Sequence, residues 1–319
     1  MSQNPSIAFA DVVHECLLTI FREELPDGFT LNLLEQDTPA EKVRILESAD
    51  FAMVWAGTLP PEAVSRARQL RLIQMCGQGL DHIPVDLAKS LGIPVANAGG
   101  TNSTAVAEMA LLLMLAVYRR LIQIDSALRN GRWLKYELRD HFHEIESKTV
   151  GIVGLGTIGK KVAQRLTGFE CQRIYTDVIR ADRAVEQALG VEYVPLNDLL
   201  AQTDILTLHV PLTGQTRGMI DAPALARLKP SAIVVNTSRG PVVDQAALYQ
   251  ALVEGRIAGA GLDVFEQEPA TDMPLLHMDQ VVLSPHIAGG TIEAARRTIR
   301  AGYANIVRVH SGQPPLNAA

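Results

Sequence analysis

The stretch Val150-Gly151-Ile152-Val153-Gly154-Leu155-Gly156-Thr157-Ile158-Gly159 decides the fold. Its apolar run stops in Gly-x-Gly-x-x-Gly and continues into a helical pattern from Lys160 to Leu166. Glycines at these three places let the backbone turn tightly, approach a pyrophosphate with no side chain in the way, and pack helix against strand. The helix N-terminus then offers free N–H groups to the anion. The same spacing occurs in ordinary tight turns, so the motif takes its meaning from the residues around it. A second apolar segment, Cys171 to Tyr175, runs to Asp177, about 20 residues past the glycines, where such folds place the carboxylate that hydrogen-bonds the adenosine ribose. Glycine loop and carboxylate together read as a Rossmann unit with a dinucleotide site. The carboxylate would repel a ribose phosphate, which favours NAD over NADP, although Arg180 and Arg183 stand close by. The competing reading of Asp177 is a cap on the next helix.

Outward from this unit, short apolar segments alternate with amphipathic ones in both directions. Upstream they are Ile7 to Ala10, Leu31 to Leu34, Phe51 to Trp55, Leu72 to Cys76 and Ile93 to Ala96. Downstream of Val150 they recur around Ile174, then at Val191 to Val194, Ile205 to His209, Ala232 to Asn236, Gly259 to Val264 and Val281 to Ser284. Strands alternating with helices imply parallel sheets covered on both faces. The pattern predicts an α/β chain of two doubly wound parallel-sheet domains. One is a Rossmann dinucleotide-binding domain over 101–289, and the other a smaller, flavodoxin-like substrate domain over 1–100 plus 290–319. Asn102 or Ser103 is a candidate N-cap for a long helix leading out of the first domain, and a last helix over Glu293 to Val309 would return to it.

The 319 residues are 47% hydrophobic and 20% charged, enough apolar surface for two cores. A net charge of −6 without a basic run argues against nucleic-acid or anionic-membrane partners, which need concentrated positive charge. Met1-Ser2-Gln3-Asn4-Pro5 carries no export pattern, and the longest apolar run, Met109 to Val117, is too short to span a bilayer and reads as a buried helix. Cys16, Cys76 and Cys171 are odd in number and far apart, which reads as reduced core thiols in a cytoplasmic protein. His141 and His143 lack a third ligand nearby, so no metal is expected.

Three strand ends downstream carry polar residues: Asn236-Thr237-Ser238-Arg239-Gly240, Leu262-Asp263-Val264-Phe265-Glu266-Gln267-Glu268-Pro269 and Ser284-Pro285-His286-Ile287-Ala288-Gly289-Gly290. Ligands of open parallel sheets sit beyond the carboxyl ends of the strands, so these segments can converge on one crevice. They supply a cation to hold and polarise a 2-oxo acid, an imidazole to move a proton, and an acid to orient the imidazole. Taken one at a time each has a plainer reading: a solvated arginine, a loop acid, a turn histidine.

In this order, behind the glycine fingerprint, the segments resemble the D-isomer-specific 2-hydroxyacid dehydrogenase family. The similarity runs from about Leu72 to Gly290 and includes a second signature at His209-Val210-Pro211-Leu212-Thr213. The resemblance implies an Arg239, Glu268, His286 triad in which His286 exchanges the proton, Glu268 holds its other ring nitrogen, and Arg239 aligns the substrate. It implies a nicotinamide cofactor held by Thr104, by Gly154, Leu155, Gly156, Thr157, Ile158 and Gly159, and by Asp177. The same cofactor would meet His209, Val210, Pro211, Thr216, Thr237, Ser238, Arg239, Asp263, His286 and Gly289, with Asp263 on the carboxamide and His209 acting through backbone and packing.

The substrate loop of that family resembles Cys76-Gly77-Gln78-Gly79-Leu80-Asp81-His82-Ile83, whose Gln78 and Gly79 N–H groups would bind the substrate carboxylate as a small nest. Trp55, Arg239 and His286 complete the expected substrate set. Relatives acting on phosphoglycerate place an arginine where this chain has Val54-Trp55-Ala56-Gly57-Thr58, and the 30 or so residues after His286 leave no room for an appended regulatory domain. A small 2-oxo acid such as glyoxylate or hydroxypyruvate is therefore expected, and the resemblance implies a homodimer; relatives use the region of Trp133 to His143 at a dimer seam, although the segment itself reads first as an ordinary loop. A dinucleotide-sensing corepressor of the same fold is the competing reading. Formate dehydrogenases typically carry glutamine where Glu268 stands.

Overall fold

The computed structural model describes residues 4–319, so the leaderless reading of Met1-Ser2-Gln3 lies outside the described residues. The chain forms two compact units: the described residues up to Asn102 together with Gly290–Ala319, and Ser103–Gly289.

The first unit holds strands β1 (Ser6–Phe9), β2 (Thr30–Leu33), β3 (Phe51–Val54), β4 (Leu72–Met75) and β5 (Val95–Ala96). They form a parallel sheet in the order β2-β1-β3-β4-β5, the flavodoxin-like order expected for the smaller domain. Every side chain of β3 is 0% exposed, which explains why this strand reads as an unbroken apolar run rather than an alternation. One face packs Ala52, Val54 and Ile73 against Val43, Leu46 and Val64 of the helices Pro39–Glu47 and Pro61–Arg66. The other packs Phe9, Phe51 and Met53 against Phe21 of the helix Glu15–Glu23 and Ile299, Tyr303 and Ile306 of the helix Ile292–His310.

The second unit has strands β6 (Thr149–Val153), β7 (Gln172–Thr176), β8 (Glu192–Tyr193), β9 (Ile205–Leu208), β10 (Ile233–Asn236), β11 (Gly259–Leu262) and β12 (Val281–Leu283). All pair in parallel in the order β12-β11-β10-β9-β6-β7-β8. The order reverses between β6 and β9, the switch point at which such sheets bind ligands. The helix Ser103–Tyr118 lies over β10, β11 and β12, and glycines let it close in. A Cβ on Gly261 would stand 2.9 Å from Leu113 Cβ, and one on Gly259 2.8 Å from Val117 Cγ1.

Most of the expected strands run one or two residues too far at their ends, because Trp55, Cys76, His209 and Ser284 lie just beyond the strands, on the loops where ligand-facing residues belong. Two expectations are corrected. The apolar run Met109 to Val117 is helical but not wholly buried, with Leu112 53% and Leu115 38% exposed. Of the three thiols only Cys76 is a core residue; Cys171 is half-buried and Cys16 is exposed on the first helix, so apolar neighbours in sequence did not put it inside.

Candidate active site

In the second unit the glycine loop and the acid meet as the spacing requires. The Leu155 N–H donates to Asp177 Oδ2 at 2.7 Å. Asp177 does not cap the following helix, Arg183–Leu189, whose N-cap is Asp182. Each glycine has its own reason. Gly154 has φ +92°, and a Cβ there would stand 2.7 Å from the carbonyl oxygen of His209. A Cβ on Gly159 would collide with the Gly154 carbonyl, whereas one on Gly156 would meet nothing within 4 Å. Thr157 and Ile158 open the helix Thr157–Arg165, whose first-turn N–H groups face the loop end. Arg180 is engaged by Glu186 at 2.8 and 3.0 Å.

The loop after β9 is closed by Thr216, whose hydroxyl donates to the Pro211 carbonyl at 2.6 Å and accepts the Thr213 N–H at 2.8 Å. Val210 packs on the core. His209 Nε2 lies 2.9 Å from Thr207 Oγ1, its Nδ1 is buried without a partner, and burial pushes the imidazole down to about 3. Such a ring stays neutral through the working range and is no general base. Thr104 lies in the first turn of the helix Ser103–Tyr118.

The three polar strand ends belong to the adjacent strands β10, β11 and β12. Asn236 pins the first: its Oδ1 accepts from Ser238 N and Oγ at 3.0 and 2.7 Å, and its Nδ2 donates to the Arg239 carbonyl at 2.9 Å. Arg239 Nη1 donates to the Ser238 carbonyl at 2.8 Å. A Cβ on Gly240 would collide with the Phe265 carbonyl, so the loops of Arg239 and Glu268 touch backbone to backbone. Glu268 Oε1 accepts the Phe265 N–H at 3.0 Å and its Oε2 lies 2.7 Å from His286 Nδ1. His286 has φ +51°, the left-handed region that a non-glycine residue avoids.

What holds His286 there is Asp263. Its carbonyl accepts the His286 N–H at 2.7 Å, and its fully buried carboxylate accepts from Ser284 Oγ (2.6 Å), Ile287 N (2.9 Å) and Ala288 N (2.9 Å). Gly289 comes directly after this turn. Sequence reading gave Asp263 a cofactor role and gave Asn236 and Ser284 none. The signal was a polar residue closing an otherwise apolar strand, which the next residues' N–H groups can use.

In the first unit, Trp55 comes just after β3, its N–H donating to Asp11 Oδ2 at 2.6 Å and its ring standing edge-on to Phe21. Gln78 and Gly79 lie on the bend after β4, where Asn97 Nδ2 donates to the Gln78 carbonyl at 3.0 Å. Among the described residues no helix is long and apolar enough to cross a membrane, and no three His, Cys, Asp or Glu side chains are grouped to hold a metal.

Residues 111–288 match the family model described as the D-isomer specific 2-hydroxyacid dehydrogenase, NAD binding domain. The chain belongs to this dehydrogenase family. It is 40% identical over 301 residues to a glyoxylate reductase of Korarchaeum cryptofilum, covering 92% of this chain and 90% of that one. It is 39% identical to a hydroxypyruvate reductase of Thermotoga maritima, covering 88% and 89%. The holo form of Rhodotorula graminis D-mandelate dehydrogenase superposes with a TM-score of 0.88 at 30% identity, over 100% of this chain and 98% of that one. As a family member the protein is a D-2-hydroxyacid dehydrogenase that uses a nicotinamide dinucleotide. The residues present fit that cofactor: the space above Gly156 is open, and the Thr237 hydroxyl is buried without a hydrogen-bond partner.

Proposed function

We propose that this dehydrogenase reduces a small 2-oxo acid of the glyoxylate or hydroxypyruvate kind with NADH, using Arg239, Glu268 and His286. The observation that carries the reading is the 2.7 Å contact between Glu268 and a His286 held in a left-handed turn. A bound nicotinamide supplies the hydride. His286, with Nδ1 committed to Glu268, exchanges a proton with the substrate oxygen through Nε2, as general acid in reduction and base in oxidation. Arg239 grips the substrate carboxylate and polarises the carbonyl. The family resemblance assigns the substrate carboxylate to the N–H groups of Gln78 and Gly79 and the substituent to Trp55. The substrate role thus falls to the first unit, bounded in our assignment by 1–100 plus 290–319, and the cofactor role to 101–289.

The glycine loop, Asp177, the 209–216 loop, Thr237, Ser238, Asp263, Gly289 and Thr104 form the cofactor site in this reading. NAD is favoured over NADP because Asp177 opposes a ribose phosphate while Arg180 is engaged by Glu186. Phosphoglycerate is disfavoured by the uncharged loop Val54 to Thr58. The three unbridged thiols suit a reducing cytoplasm, and the resemblance supports a homodimer. Steady-state rates on glyoxylate, hydroxypyruvate, pyruvate and bulkier 2-oxo acids, each with NADH and NADPH, test this. Highest kcat/KM on glyoxylate and hydroxypyruvate with NADH is expected. NADH binding without turnover on any of them would instead favour a dinucleotide sensor.

A further inference from the structure

Two charged side chains in the first unit are buried where an ordinary turn needs neither. Asp11, just past β1, is 8% exposed and Lys42, on the helix Pro39–Glu47, is 5% exposed. Both act on the backbone of one four-residue segment, Trp55 to Thr58. Asp11 Oδ2 accepts the Trp55 N–H at 2.6 Å, and the N–H groups of Gly57 and Ala56 also serve its carboxylate. Lys42 Nζ donates to the Thr58 carbonyl at 3.0 Å and lies 2.6 Å from Asp37 Oδ1. The segment is therefore gripped by an anion on its N–H groups and a cation on its last carbonyl. Gly57 is required by the close approach alone, since a Cβ there would collide with Asp11 Oδ1 and stand 3.3 Å from Lys42 Nζ.

Burying charge is a costly way to gain stability, because apolar residues of similar volume commonly do as well. What charge supplies and apolar packing cannot is fixed backbone geometry, since an ammonium and a carboxylate dictate where carbonyls and N–H groups point. We infer that Asp11 and Lys42 are positioning residues, a charge clamp that sets the backbone of Trp55 to Thr58 and so decides which 2-oxo acids Trp55 admits. The inference rests on the proposed substrate role of that loop. Neither residue touches substrate. Loosening the clamp lets the loop relax away from one shape, which weakens selection among substrates more than it slows the chemistry.

The test compares Asp11→Asn, Lys42→Met and Trp55→Ala with wild type, measuring KM and kcat for glyoxylate and for a bulkier 2-oxo acid, together with the NADH Kd. In both clamp variants the KM of the bulkier acid should fall roughly 5- to 50-fold relative to that of glyoxylate, on the scale of a lost charge-assisted hydrogen bond. The ratio of KM values between the two acids should narrow, while kcat and NADH Kd hold. Gly57→Ala displaces the carboxylate without removing a charge and gives the same readout if Asp11→Asn yields no folded protein. Its cost should shrink in an Asp11→Ala background, where the atom it meets is gone. Clamp variants with a lower Tm but wild-type KM values and selectivity, alongside a Trp55→Ala variant whose selectivity changes, would overturn the clamp and leave the substrate loop standing. Unchanged selectivity in Trp55→Ala would overturn the substrate reading of the loop and the clamp with it.

Discussion

His286 combines at the scale of one residue an unfavourable backbone conformation with the proposed role of proton donor. A left-handed φ costs a non-glycine residue about 1–2 kcal/mol, and four hydrogen bonds to Asp263 hold the turn against it. The same turn brings the imidazole to Glu268. His286→Ala should therefore lose roughly 100- to 10,000-fold in kcat by removal of general acid–base help, and a fluorescence titration should show NADH binding nearly intact. Turnover close to wild type would remove His286 from the mechanism. His209 makes the opposite case. Burial lowers its folded-state value from 6.5 to about 3, so below pH 6.5 the unfolded chain takes up a proton that the folded chain refuses. The stability present above pH 6.5 is lost as pH falls towards 3, by at most about 1.4 kcal/mol per pH unit. Urea denaturation at a series of pH values should show this decline shallower in His209→Gln; identical slopes would mean the ring is not desolvated.

At the scale of elements, the glycine loop separates two roles that one motif runs together. A methyl on Gly159 collides with the Gly154 carbonyl and forces the helix Thr157–Arg165 off the strand, whereas a methyl on Gly156 enters open space. Gly159→Ala should therefore cost about 1–3 kcal/mol of stability, as overpacking typically does. Gly156→Ala should keep its Tm and lose NADH affinity, which calorimetry and a thermal melt on the same samples can separate. The strands were legible because both faces of each sheet are covered, so that apolar runs such as Phe51 to Val54 stand out. The residues proposed as the triad stood out because they follow three such runs. Ser284, Asp11 and Lys42 did not, since their roles depend on partners fixed by the fold: Asp11 meets Trp55 across 44 residues and Ser284 meets Asp263 across 21. No periodicity records such a pairing.

At the scale of the whole molecule, the helix Ser103–Tyr118 is apolar on every side, which reads as burial, but composition does not say what does the burying. Within the second unit Leu112, Leu115, Leu121, Ile122, Leu128, Trp133 and Tyr136 remain 38–71% exposed. A groove lies among them, rimmed by the charged Asp125, Arg132 and Lys135 and lined by Leu121, Ile124, Leu128, Trp133 and Leu134. Residues of this kind left in water are the usual mark of an association surface. A stable homodimer needs about 800 Å² from each partner, and apolar side chains of this size contribute about 1.5–3 kcal/mol each when covered. The homodimer proposed above is expected to use this surface. Placing a carboxylate at two of its exposed positions, Leu112→Glu with Ile122→Glu, would bury unpaired charge in the seam and should shift sedimentation from dimer to monomer at micromolar protein. Because neither side chain belongs to a core, the far-UV spectrum and Tm of the monomer should show a folded chain. A wild-type protein that sediments as a monomer would remove the proposed homodimer, and a double variant that remains a dimer would place its seam elsewhere.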